Sequence, residues 1–409
     1  MGQRVMNTTI RAATIIQIIP HLETGGAEMA TVEICDALAR AGGRCFVLSE
    51  GGRMERDVTA AGGLFVPFPA ATKNPARIVA NGLALARFMR ERGVDLIHAR
   101  SRAPAWSALI AARRTGLGFV TTYHGAYGDR GPGKNLYNSV MARGDRVIAN
   151  SRFTAQLIQE RHGTPSQRLR VIPRGVDIAA FDPRRIAASR IRALRARWGV
   201  PGDHRILLHA ARLTDWKGQK HVIEAAARLQ EKGLLEKVSV ILAGDAQGRE
   251  GYRQELEGMI SGHALAKVVH IVGHCSDMPA AFAAAHAAVV ASVEAEAFGR
   301  ASAEAQAAGC PVIVTQQGAS PETVLLAERD GAGQETGWLV PVADPDALAQ
   351  AFARALALSD PERKAIGARA RAHAESQFSA QRMKRDTLAV YDEILRSALA
   401  RAFDDSQPA

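Results

Sequence analysis

Glu296 and Glu304 stand eight residues apart in ASVEAEAFGRASAEAQAAGCPVIVT, with Phe298 and Gly299 between them. Ionised carboxylates accept hydrogen bonds from hydroxyl groups and pair with cations, so two of them in one crevice would grip a ligand rich in such donors. Eight residues is a little over two turns at 3.6 residues per turn, a spacing that lets two side chains of one helix project the same way. The flanking runs AAVVA (287–291) and PVIVT (311–315) are short and apolar, as interior parallel strands are, and the Ala-rich stretch between them has helical composition. Glu296 is therefore expected in the loop at a strand's carboxyl end and Glu304 in the helix that follows. Ligands of open α/β sheets bind at that edge. Two glutamates in a helix-rich chain, taken by themselves, read better as solvated surface residues, and the functional reading rests on several motifs in order.

A second pair of charges lies upstream. HAARLTDWKGQKHVIEAAARL places Arg212 just past a strand and Lys217 five residues on, where a helix begins. Two fixed cations there can neutralise a departing diphosphate without a metal, and read alone they are also ordinary surface cations. In the first half, HLETGGAE sets Gly25 and Gly26 between a strand and a helix, where amides without side chains can approach a diphosphate closely. Asp344 and Asp346 match the letters of a D-x-D metal motif, but Asp344 before Pro345 reads first as a helix cap, which favours a metal-free site. Gly128 to Lys134 satisfies G-x-x-x-x-G-K. Asn135 stands where a phosphate loop needs Ser or Thr, and Pro132 removes an amide from the cradle, so a mobile Gly-rich acceptor loop is the better reading.

The elements that must position these residues are legible as an alternation of apolar strand-like runs with helical segments, the pattern of parallel sheets covered on both faces. Strands are expected near 13–20, 44–49, 64–68, 94–98, 118–123, 145–149 and 169–173, then near 205–210, 237–243, 268–273, 287–291, 311–315 and 337–341. A chain of 409 residues exceeds one core and predicts two domains. The Pro- and Arg-rich stretch from Gly175 to Asp203 separates the two series of strands, which gives domains 1–185 and 186–378. The helical segment 379–402, with no strand after it, is free to pack back onto the first domain.

Composition is that of an ordinary folded protein, 47% hydrophobic and 23% charged. Cys35, Cys45, Cys275 and Cys310 show no metal-type spacing, as suits reduced thiols in a cytoplasmic enzyme. ATIIQIIP, interrupted by Gln17, is too short to span a bilayer. Residues 1–185 carry 26 Lys and Arg against 14 Asp and Glu, a balance of +12, whereas the remaining 224 residues carry 26 against 27. A basic first half beside a neutral second half predicts an acidic partner: an anionic membrane surface, a phosphorylated glycolipid or nucleic acid. A solubilising Arg-rich surface accounts for the same charge. No nucleic-acid module or aromatic platform is evident, so nucleic acid is the least favoured partner.

Taken in order, GGAE at 25–28, the R-x-x-x-x-K segment at 212–217, E-x7-E at 296–304 and GASPETV at 318–324 resemble the retaining glycosyltransferases of family 4 over most of the chain. Ala211 stands where that family usually has Gly, a change that narrows the loop without touching the charges. The resemblance implies the GT-B fold, two Rossmann-like doubly wound domains facing a cleft, with a last helix crossing back. It implies that Glu304 holds the nucleotide ribose and Glu296 the hydroxyls of the transferred sugar, helped by the Phe298–Gly299 backbone, while Arg212, Lys217, Gly25 and Gly26 bind the diphosphate. His124, at the end of a first-domain strand, resembles the family's active-site histidine near the donor sugar's reactive carbon. Asn150, Ser151 and Arg174, with Asp177 close by, are expected at further strand ends as acceptor or hinge residues. By the same resemblance no protein nucleophile is used, no metal or cofactor is needed, and the leaving phosphate deprotonates the acceptor on the same face.

The expected donor is a nucleotide sugar, GDP-mannose first, with UDP-glucose, UDP-galactose and UDP-N-acetylglucosamine open. The expected acceptor is a lipid-linked or lipopolysaccharide-type glycan of cell-envelope assembly. Peripheral attachment to the inner face of the cytoplasmic membrane remains open. A sugar-nucleotide epimerase of the same fold and a non-catalytic nucleotide-sugar-binding protein are the alternatives.

Overall fold

The computed structural model describes residues 12–23, 25–125 and 131–407. Its chain forms two compact units, one of residues up to Asn150, Ala155–Ile172 and the segment from Met383, the other of Ser151–Thr154 and Pro173–Arg382. The first holds β1 (Thr14–Ile18), β2 (Arg44–Ser49), β3 (Leu64–Pro67), β4 (Leu96–Ala99), β5 (Gly118–Tyr123), β6 (Arg146–Ala149) and β7 (Leu169–Val171). The second holds β8 (Arg205–Ala210), β9 (Val238–Ala243), β10 (Val269–Gly273), β11 (Ala287–Val290), β12 (Val312–Thr315) and β13 (Gly337–Val340). Each falls on a run read from the sequence, to within about two residues at its ends.

Both sheets are wholly parallel. The first has the order β3-β2-β1-β4-β5-β6-β7 and the second β10-β9-β8-β11-β12-β13. In each, the chain winds outward from one central strand, crosses over and winds the other way, which defines a doubly wound Rossmann-like fold with its switch point between β1 and β4 or between β8 and β11. The two-residue period of the strands builds two cores per sheet. In the second unit, Leu208, Ile241, Ala288, Val312 and Val314 face one layer, and Leu207, Val240, Leu242, Val289 and Ile313 face the other.

The division between units falls at Ile172, not near 185. The segment read as a linker is not free: Val176, Phe181, Ile186, Leu194, Trp198 and Val200 are buried in the second unit's core. Its arginines misled because they lie on the outer side of a helix, Ala188–Arg197, whose buried residue is Leu194. The C-terminal helices Ala380–Leu395 and Leu399–Asp405 carry Met383, Leu388, Tyr391, Leu399 and Phe403 into the first unit's core beside Ile15, Cys45 and Val120. Among the described residues no helix is long and apolar enough to cross a membrane.

Candidate active site

The second unit sets Arg212 and Lys217 past the carboxyl end of β8 and Glu296 past that of β11, on both sides of the switch point. Glu296 lies in the loop 291–299, after β11 and before the helix Arg300–Ala307. Because that helix begins only at Arg300, the pair is not stacked on two turns of one helix; the loop brings Glu296 to its position. Lys217 Nζ lies 2.8 Å from Glu296 Oε1, with the side chains only 16% and 13% exposed. Ser292 donates to the same Oε1. Glu304, also 13% exposed, accepts a 2.6 Å bond from Arg300 Nε one turn earlier in its own helix.

Backbone contacts that only glycine permits hold this arrangement. Gly218 follows Lys217 at φ +75°, and a Cβ there would lie 2.0 Å from the Ala291 carbonyl oxygen, so the Lys217 loop sits directly on the β11 loop. Val293 N donates to Trp216 O at 2.8 Å, a second tie between the same loops. Gly318, at φ +58°, would bring a Cβ to 2.6 Å from Glu296 O, while Ala319 N donates to that oxygen at 2.9 Å. Gly299 caps the Arg300–Ala307 helix at φ +98°. The Phe298 side chain is buried edge-on against Phe378, 5.5 Å between centroids, so it anchors the loop and only its backbone can face a ligand.

Arg212 is exposed, 3.5 Å from Gln247 Oε1, with its own carbonyl fixed by Gln219 Nε2 at 2.9 Å. The loop at Ala211 is tight, and Gly244 relieves it: a Cβ on Gly244 would lie 1.8 Å from Ala211 O. Asp344 accepts from Ala347 N at 2.9 Å as the cap of the helix Pro345–Leu356, and Asp346 pairs with Arg228.

In the first unit, Gly25 caps the helix Gly26–Arg40, but Glu28 lies over it: a Cβ on Gly25 would be 2.4 Å from Glu28 Oε2. That carboxylate already occupies the positive end of the helix, so a diphosphate there has to displace it. His124 follows β5 and is half-buried. It helps hold the His98 imidazole below its usual range, after burial and the Arg100 charge. His98 itself is buried between Tyr391 Oη and Thr122 Oγ1, each at 2.7 Å. Gly128 of the phosphate-loop-like segment lies outside the described residues, as do 126–130 of the Gly-rich loop; Lys134 and Asn135 are in the helix Pro132–Ser139.

Of the four expected acceptor or hinge positions, Ser151 and Asp177 are engaged locally. Ser151 is buried and spends its hydroxyl locally, accepting from Thr154 N at 3.0 Å and bonding Thr154 Oγ1. Asp177 accepts from the amides of Ala179 and Ala180 at 3.0 Å each. Asn150 is buried, and among the described residues its Nδ2 has no hydrogen-bond partner; Arg174 is half-buried.

The sequence reading passed over Ser292 and His209. His209, near the end of β8, is buried, and its Nδ1 bonds Val289 O at 2.9 Å. Burial pushes its pKa down to about 4, so the ring beside Lys217 and Glu296 is neutral. A polar residue at the carboxyl end of an apolar strand, as in RILLHA and in AAVVAS, was the signal available for both.

Comparison with known proteins agrees with this architecture. Residues 24–180 match the family described as Glycosyltransferase Family 4, and residues 190–373 the one described as Glycosyl transferases group 1. A D-inositol 3-phosphate glycosyltransferase of Geodermatophilus obscurus is 33% identical over 258 residues, 62% of this chain and 53% of that relative, so the match spans about half of the relative's length. A glycosyltransferase structure from Rickettsia africae superposes with a TM-score of 0.86 at 31% identity, over 95% of this chain and all of that one. The fold is shared too with Anabaena Alr3699/HepE, solved in complex with UDP-glucose, at TM-score 0.75 and 24% identity over 93% and 99% of the two chains. With both halves matched and the whole Rickettsia chain covered, this protein belongs to the family 4 glycosyltransferases.

Proposed function

We propose that the chain is a retaining hexosyltransferase that moves a sugar from a nucleotide-sugar donor to an anionic, lipid-linked or lipopolysaccharide-type glycan. The observation that carries this reading is the buried Lys217–Glu296 pair at the switch point of the second sheet. A lysine held there is a cation for the departing diphosphate, and the carboxylate beside it is an acceptor for sugar hydroxyls. Arg212 adds the second cation, and Glu304 takes the ribose hydroxyls. His124, Gly25 and Gly26 keep the roles that the family resemblance implies, and Asn150 and Arg174 are the acceptor-side candidates. Ser151, buried and bonded to Thr154, serves there only by capping its helix.

In the reaction, the bond from the sugar's anomeric carbon to the diphosphate oxygen breaks and one to the acceptor oxygen forms on the same face. The acceptor's proton passes to the leaving phosphate. Lys217 and Arg212 stabilise the charge that grows on that phosphate, an effect strongest where water is excluded. The name of the D-inositol 3-phosphate relatives agrees with an anionic acceptor, and the UDP-glucose complex of the Anabaena neighbour agrees with a nucleotide-sugar donor. GDP-mannose remains our first candidate, to be set against the UDP sugars.

The test is thermal stabilisation of the full chain by a panel of UDP, GDP and ADP sugars in EDTA, followed by product analysis with glycan acceptors. A selective shift from one donor, with transfer, supports the reading and its metal-free site. No shift from any donor overturns it. A shift with conversion of the donor alone marks an epimerase, and a shift without turnover marks a binding protein.

A further inference from the structure

We propose that the helix Pro75–Glu91 of the first unit is a docking face for an anionic lipid bilayer. One side of this helix is fixed. Gly82, Leu85, Ala86 and Met89 are buried, and Gly82 sits so close to the helix Arg102–Thr115 that a Cβ would lie 2.7 Å from Ile110. The other side faces solvent and is not polar: Val79 is 50% and Leu83 45% exposed, one turn apart, with Ala76, Ala80 and Ala84 exposed beside them. At about 100° per residue these five share one arc of the helix with exposed Arg77, Arg87 and Arg90. Exposed Lys73 and Arg92 bracket the helix. Arg90 Nη2 donates to Arg114 O at 2.9 Å, which brings exposed Arg113 and Arg114 alongside. Against these cations the helix carries a single carboxylate, Glu91.

Apolar side chains set among arginines match the interface of an anionic membrane, where the cations meet headgroups and the aliphatic groups enter the acyl boundary. A second copy of the chain would present the same cations and be repelled. Nucleic acid would use the arginines but gain little from Val79 and Leu83, and the helix's one aromatic ring, Phe88, is half-buried with Arg92 5.7 Å from its centroid. The docking itself is independent of the donor site. Combined with the proposed reaction, it would set the enzyme where a membrane-borne acceptor lies.

The full chain is tested by co-sedimentation with phosphatidylcholine vesicles, with and without phosphatidylglycerol, and by retention on duplex DNA. Binding is expected only with phosphatidylglycerol, and it should weaken as salt is raised. The triple variant Arg77→Glu, Arg87→Glu, Arg90→Glu should lower it at least about 100-fold, since each basic group near the surface contributes roughly a tenfold factor or less and reversal doubles the loss. Val79→Asp with Leu83→Asp should lower it too. Unchanged far-UV spectra and donor-induced melting shifts keep these losses separate from misfolding and from failure of the transferase reading. The proposal is overturned by equal binding to both vesicles, by no binding to either, or by variants that bind as the parent does. DNA binding that falls in the arginine variant and survives in the aspartate one also overturns it, in favour of nucleic acid.

Discussion

The Lys217–Glu296 pair can be weighed by a double-mutant cycle of Lys217→Met and Glu296→Gln. At 2.8 Å the gross attraction is about 6 kcal/mol for an effective dielectric of about 20, and desolvation of the two groups takes back much of it. With side chains 16% and 13% exposed, each single change strands a mostly buried charge and should destabilise by about 2–3 kcal/mol, somewhat under the range for full burial. The double variant leaves no stranded charge. It should cost about 2 kcal/mol less than the sum of the singles. Denaturation can be followed by tryptophan fluorescence, because Trp198, Trp216 and Trp338 all lie in the second unit and Trp216 is 4.2 Å from Lys217 Nζ. The same proteins separate the functional roles. Lys217→Met should weaken nucleoside diphosphate binding about tenfold or more, whereas Glu296→Gln, which removes a competing negative charge, should leave it unchanged or tighter while transfer falls at least about 100-fold. Additivity within about 0.5 kcal/mol would refute the coupling, and full transfer by Glu296→Gln would remove that carboxylate from the site.

Neutral His209 makes stability depend on pH: its imidazole titrates near 6.5 when unfolded and about 4 when folded, so only the unfolded state takes the proton between those values. Stability should fall by at most about 3 kcal/mol as pH drops through that window and stay level below it, a share absent from His209→Gln in urea titrations at several pH values. Gly218→Ala should cost about 2–4 kcal/mol and weaken nucleotide binding, read by melting and by titration calorimetry, because its Cβ would strike Ala291 O and its φ is +75°. Asp344→Ala should cost about 1 kcal/mol in the same melts through the lost cap on Ala347 N, with transfer unaffected; loss of transfer would reopen the metal-ligand reading of that aspartate.

The two sheets were legible because a parallel strand buried on both faces is written as a short apolar run, and the length, Val and Ile content and regular alternation with helical segments of runs such as AAVVA and PVIVT favour strand over buried helix. The charged residues of the second unit were legible from their place just past those runs. The division at Ile172 was not, since arginines on the outer face of the Ala188–Arg197 helix resemble a linker in composition while Leu194 and Trp198 hold it in the core. Glu296 was legible in the loop after AAVVA and Glu304 in the helix that follows; only the two-turn spacing does not apply, since the chain turns at Gly299 and the helix starts after it. Ser151 and Asp177 were read as ligand contacts because polar residues at strand ends often are, although local backbone amides satisfy them first.

What the sequence could least reveal is how four loops come into contact through backbone alone. Gly218 meets Ala291 O, Gly244 meets Ala211 O, and Gly318 meets Glu296 O. These approaches set the heights of Lys217, Arg212 and Glu296 before any side chain chooses a rotamer. The result at Glu296 is asymmetric: Lys217 and Ser292 both engage Oε1, so among the described residues Oε2 has no protein hydrogen-bond donor. A carboxylate with one oxygen saturated is held in place without being used up, and the other is free to accept from a ligand hydroxyl. The lysine is kept in the same way, its desolvation already met by Glu296, so a diphosphate arriving there finds a cation with little reorganisation left to undergo.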